Sequence, residues 1–164
     1  MSEFGPSPTS RSRLYEINLD QATIARKNPN VEHEREVAIY DLLESNEFKL
    51  VGRDEGPYRL QLSIADDRLA MTVGNEQAAD LDTHLLSLQP FKKIVKDYFL
   101  ICDSYYEAIR SAPPSKIQAI DVSRRTLHDE GSRLLAERLD GRIDVDFDTA
   151  RRLFTLICAL HWKG

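Results

Sequence analysis

Hydrophobic and polar positions change their period several times along this chain, and each change marks an element. RLYEINLD, Arg13 to Asp20, sets Tyr15, Ile17 and Leu19 on one side, the alternation of a half-buried strand. After the loop residues Asn28, Pro29 and Asn30, VEHEREVAIYDLLESN turns helical. Val31, Ala38 and Leu42 form one row with Val37 and Ile39 beside it, and Glu32, Glu34 and Glu44 face outward. GPYRLQLSIADDRLAMTV alternates again and reads as a hairpin. Tyr58, Leu60, Leu62 and Ile64 share one face of its first strand, Leu69, Met71 and Val73 one face of its second, and Asp66 and Asp67 supply the turn. THLLSL adds a third strand. Short connections favour antiparallel neighbours, so a three-strand meander is predicted, extended to as many as five by EFKLV and by residues 13–19 at an edge.

The second half is helical throughout. Pro90 opens a helix whose apolar row contains Phe91, Ile94, Val95, Tyr98, Phe99, Cys102, Tyr105 and Ile109, with Lys92, Lys93, Lys96, Asp97 and Asp103 opposite. Ala112-Pro113-Pro114 ends it, because the residue before a proline is pushed out of the helical region. A helix over 115–140 follows, capped by Ser115 and closed by Gly141, with Ile117, Ile120, Leu127, Leu134, Leu135 and Leu139 inward. IDVDF is a brief strand or link. Asp148 then caps a final helix that is apolar on nearly every side from Leu153 to Leu160, which places it at the centre of the core. The fold class is α+β: a small antiparallel meander packed against about four helices.

Length and composition narrow the function classes. The 164 residues suit one domain over 13–164, with residues 1–12, rich in Ser and Pro, read as a disordered tail foreign to the rest. No apolar run approaches a membrane span, and no leader pattern is present, so a cytoplasmic protein without a membrane partner is expected. Cys102 and Cys158 sit in apolar helical settings and read as reduced, structural thiols. The four histidines are isolated and no CxxC or HxxxH occurs, so neither a metal nor another cofactor is expected. A net charge of −5 argues against nucleic acid as the main partner, although seven arginines follow from Arg124 onward. Recognised nucleophile and phosphate-loop motifs are absent.

Candidate chemistry gathers in the last third. At 100° per residue, Asp121, Arg125, His128 and Ser132 fall within one narrow stripe of a helix. Asp121 to Arg125 is an acid-first i,i+4 pair, and a His128 to Ser132 hydrogen bond is in reach. An arginine fork suits phosphate or carboxylate, and an imidazole suits proton transfer near neutral pH. A solvated ion-pair stripe has the same spacing and is the commoner outcome. Arg124 lies inside the apolar row, where it either stretches out of the core along its own methylenes or finds a carboxylate on a facing element, with Glu130, Asp146 and Asp148 the candidates. Gly131, mid-helix, admits a close neighbour. Arg151 and Arg152 oppose the dipole at the start of the last helix, and Asp144, Asp146 and Asp148 are candidates to offset them. Tyr106 lies off the core row and is free to contact a partner.

The segments VEHEREVAIYDLL, GPYRLQLSI, LSLQPFKKIVKDYFLICDSYYEAIR, RRTLHDEGSRLLAERL and VDFDTARRLFTLICALHW together resemble a family of bacterial proteins, chiefly from alphaproteobacteria, whose function is unassigned. The resemblance covers nearly everything from Tyr15 onward. It implies a bacterial cytoplasmic origin, and it carries over no catalytic residue, cofactor or partner.

Three readings follow. The preferred one is a non-catalytic protein-interaction or regulatory module using Asp121, Arg124, Arg125, His128, Glu130, Ser132, Arg151, Arg152 and Tyr106, with an unidentified protein partner or a second copy of the chain. The second is a small enzyme or sensor for a phosphorylated or anionic small molecule at Arg124, Arg125 and His128, which requires a concave pocket there. The third is RNA or DNA binding through the arginine-rich third. Catalytic residues are not assigned.

Overall fold

The computed structural model describes residues 11–26 and 29–160. The elements run β1 (Leu14–Leu19), α1 (Pro29–Glu44), β2 (Phe48–Leu50), β3 (Tyr58–Ala65), β4 (Arg68–Gly74), β5 (Asp82–Ser87), a 3-10 turn (Gln89–Phe91), α2 (Lys92–Ser111), α3 (Pro114–Leu139), β6 (Ile143–Val145) and α4 (Phe147–Leu160). The α+β class predicted from the periodicity is the one observed.

β3, β4 and β5 form the antiparallel meander, with Leu62 opposite Met71 and Met71 opposite His84. The β3–β4 turn has Asp66 at φ 50° and Asp67 at φ 61°. Those left-handed values match the strand twist, and aspartate tolerates them better than most residues. Two strands depart from the meander. β1 lies at the edge as expected but runs parallel to β3, so the four-stranded sheet, ordered β1-β3-β4-β5, is mixed. Its phase also differs: a register shift between Leu14 and Glu16 turns both Leu14 and Ile17 inward, where strict alternation put Tyr15 and Ile17 together. β2, from EFKLV, leaves the sheet entirely and pairs with β6, Phe48 opposite Val145 and Leu50 opposite Ile143.

One core joins Leu60, Leu62, Met71, Val73 and Leu86 of the sheet to Leu42 of α1, Phe91 and Val95, Leu135 and Leu139 of α3, and most of α4. α4 is the central helix, buried from Leu156 to Leu160 without a break. Inside the row of Val31, Ala38 and Leu42 lies Arg35, only 4% exposed. Its guanidinium donates to the carbonyls of Ala159 (3.1 Å) and Ala25 (3.0 Å) and pairs with Glu32 (3.0 Å), which fastens α1 to the end of α4. The burial of a charge is tolerated because its donors are satisfied.

Several predicted boundaries shift. Residues 1–10 of the expected tail, along with Asn28, His161 and Trp162, lie outside the described residues. Arg11 and Ser12 are held in the fold: Arg11 Nε donates to the Gly56 carbonyl at 3.1 Å, and the Ser12 carbonyl accepts from the Phe48 N–H at 2.9 Å. Pro114, not Ser115, opens α3, and no side chain caps it. Asp146, not Asp148, caps α4, its Oδ1 accepting the Thr149 N–H at 3.0 Å. Among the described residues no helix is long and apolar enough to cross a membrane.

Candidate functional site

α3 crosses α4 where Gly131 faces Phe154. A methyl group on Gly131 would stand 2.1 Å from the Phe154 ring, so only glycine allows the approach. The close neighbour predicted for Gly131 is therefore the last helix. Around this crossing His128 packs edge-on against Phe154, with ring centres 5.2 Å apart, and against Tyr98 of α2 at 5.5 Å.

His128 is 9% exposed. Its Nε2 lies 2.8 Å from the Thr155 hydroxyl, which itself donates to the Arg151 carbonyl at 3.1 Å. Because the threonine has one proton to give, this pattern assigns the imidazole proton to Nε2. Nδ1 is buried and has no hydrogen-bond partner among the described residues. Burial, followed by the charges of Arg151 and Arg124, pushes the pKa down to about 4, so the ring is neutral at pH 7. Ser132 does not meet the imidazole. It is fully buried, and its hydroxyl donates to the backbone carbonyl of His128 at 2.7 Å, one turn back along the helix. The predicted stripe is thus solvated at Arg125 and buried at His128 and Ser132.

Two turns from His128 toward the start of α3, Asp121 collects two arginines, Arg124 at 2.6 Å and Arg125 at 3.3 Å. Arg124 also lies over the Tyr105 ring, 4.8 Å from its centre. Its partner is the local Asp121 rather than Glu130, Asp146 or Asp148, because three residues along a helix brings the two side chains together without a second element. From α4, Arg151 pairs with Asp129, and Arg152 Nη1 donates to the Ser45 carbonyl at 3.0 Å. The acids expected for these two, Asp144, Asp146 and Asp148, are not the ones recorded.

The result is a concavity of about 380 Å³ lined by Tyr98, Arg124, Arg125, His128, Arg151, Arg152 and Thr155. Five residues singled out in the sequence come together here, and Asp121 borders them. Glu130 is exposed and not part of the lining, Ser132 is buried and outside it, and Tyr106 lines a different groove. Three participants lie outside the residues that the sequence singles out. Tyr98 belongs to the predicted core row, Thr155 sits in an apolar helix, and Asp129 lies beside His128 with no spacing signal of its own. A signal for Thr155 exists, since it follows Arg151 by four residues. Four guanidinium groups around a neutral, partly apolar floor suit a phosphate or carboxylate, which can accept forked hydrogen bonds from planar donors. Among the described residues, no group of three or more His, Cys, Asp or Glu is placed to hold a metal ion.

Comparison with known proteins gives a family and no reaction. The model of the Uncharacterised protein family (UPF0262) matches residues 11–163. A UPF0262 protein of Rhizobium etli is 59% identical over 152 residues, covering 93% of this chain and 96% of the relative. One from Nitrobacter hamburgensis is 56% identical over 164 residues, the full length of both. One from Rhodopseudomonas palustris strain TIE-1 is 56% identical over 160 residues, 97% of this chain and 98% of the relative. No solved structure matches. The chain belongs to the UPF0262 family.

Proposed function

We propose that this UPF0262 protein is a binding or sensing module for an anionic small molecule, a phosphate or carboxylate, held in the pocket between α3 and α4. The observation that carries this reading is the convergence of Arg124, Arg125, Arg151 and Arg152, from two helices, on one concavity. Two carboxylates, Asp121 and Asp129, partly offset them and leave a net charge of about +2 at the pocket by the simple count of four minus two. His128 supports binding more than proton transfer, because its Nε2 is engaged by Thr155 and its ring is neutral. Its place is the floor that sets the pocket's depth.

Thermal melting of the wild type, Arg125→Ala and His128→Ala against phosphate, nucleotides and sugar phosphates tests the reading. A ligand at a hundredfold excess over its Kd stabilises the folded chain by about 2.7 kcal/mol. Stabilisation by one anion class, lost in Arg125→Ala, is the expected result. A flat response from well-folded wild type would sink the idea.

A second reading, protein interaction, draws on a separate observation. Leu100, Tyr106, Ile109 and Val122 on the outer parts of α2 and α3 are each about half exposed or more. Sedimentation of wild type and Leu100→Glu over a range of concentrations tests self-association through this surface. Nucleic acid would use the same four arginines, and a gel shift whose affinity does not fall as salt rises would count against it.

A further inference from the structure

A second concavity, about 520 Å³, lies between α1, α2 and α4. Ala38, Cys158 and Ala159 form its buried floor, and half-buried Phe99 and Cys102 its wall. Neither thiol brings charge to it, since both are free and burial raises the pKa of each. The charges sit at the mouth: Glu34 and Asp41 on α1 and Asp103 on α2 are exposed. Tyr98 and Thr155 belong to the wall of this trough and also to the wall of the arginine pocket. An apolar trough with an acidic rim therefore adjoins a cationic pocket across two side chains.

We propose that the two concavities form one bipartite site for an amphipathic anion. Its phosphate or carboxylate head is held by Arg124, Arg125, Arg151 and Arg152, and its alkyl or aryl body passes Tyr98 into the trough against Phe99, Cys102 and Cys158. This rests on the anion-binding reading above and gives its ligand a chemical class. The charge pattern fixes the direction of binding. Glu34 and Asp41 repel an anionic head from the trough, the arginines attract it to the other end, and the apolar floor favours a body with no charge of its own. An ion the size of inorganic phosphate would use only half of the surface available.

Calorimetric titration of the full chain with inorganic phosphate, butyl, hexyl and octyl phosphate, octanoate and octanol, all below micelle-forming concentrations, tests this. The expected result is an affinity that rises about two- to fourfold for each added methylene. Octanol should bind about tenfold or more weakly than octyl phosphate, because it lacks the charge-assisted bonds. Whichever of octyl phosphate and octanoate binds more tightly identifies the head group. Cys102→Trp should flatten the chain-length dependence. If that variant fails to fold, the wild-type series decides alone. Phosphate binding with no dependence on chain length would overturn the bipartite site and leave the anion pocket standing. Binding by none of the probes would overturn both, and octanol matching octyl phosphate would show that the arginines do not hold the head.

Discussion

The two halves of α3 are one continuous helix in two different environments. From 114 to 127 no residue is buried. From 128 to 139 the helix buries His128, Gly131, Ser132, Leu135 and Leu139 against α4 and the core. The outer half rests on propensity and local ion pairs such as Asp121 with Arg124 and Arg125, and the inner half on tertiary packing. Asp121, Arg124 and Arg125 stand just outside the boundary, and His128 stands just inside it. The pocket therefore lies where the buried half of the helix meets the exposed half.

That contrast is open to measurement. Phe154→Ala, which removes the ring that Gly131 and His128 pack on, should cost about 3–5 kcal/mol in urea unfolding. Val122→Ala, on the outer half, should stay within about 0.5 kcal/mol, and similar losses at the two positions would erase the distinction. Second in size is pH. The folded pKa of His128 lies below its unfolded value, so the unfolded chain binds the extra proton between pH 6.5 and about 4. The stability from this site is complete above pH 6.5 and falls by about 3 kcal/mol as pH drops to 4. His128→Leu should flatten that slope, and an unchanged slope would show that another group sets it.

Gly131→Ala should destabilise by about 1–3 kcal/mol, since the Phe154 ring must move to admit the methyl group. The smallest stability effect belongs to Arg125→Ala, whose side chain is 61% exposed: about 0.5 kcal/mol or less, with anion affinity falling about tenfold. Hydrogen exchange completes the comparison, with amides of 114–127 exchanging ahead of those of 132–139. Equal protection along α3 would contradict it.

Local signals in the sequence carried local structure. The β3–β4 hairpin was legible because alternation and the Asp66-Asp67 turn lie within 16 residues of each other. The central place of α4 followed from its apolar surface alone. The parallel pairing of β1 with β3 and the removal of β2 to β6 were not legible, because each joins segments about 40 or more residues apart and no local pattern encodes the partner. Site residues divide in the same way. Arg124, Arg125 and His128 were visible as a cluster on one helix, and the pairing of Asp121 with Arg125 came out as the spacing required. That Arg151 and Arg152 face them depends on the crossing at Gly131, which the sequence announced only as a glycine in an unusual place. Arg35 shows the opposite failure, a charge buried in an apolar row that only its distant carbonyl at Ala159 explains.

For the anion site proposed above, Asp121 and Asp129 would set a selectivity threshold. Each already occupies arginine donors that an incoming anion would use, so a guest would enter only by outcompeting a resident carboxylate that is covalently part of the chain and always at hand. Chloride, with one diffuse charge and no forked geometry, is a poor competitor at that threshold, whereas a phosphate dianion carries more charge and more acceptors than the residue it replaces. On that reading the acids beside the arginines would filter out simple ions and rank a phosphate head above a carboxylate one.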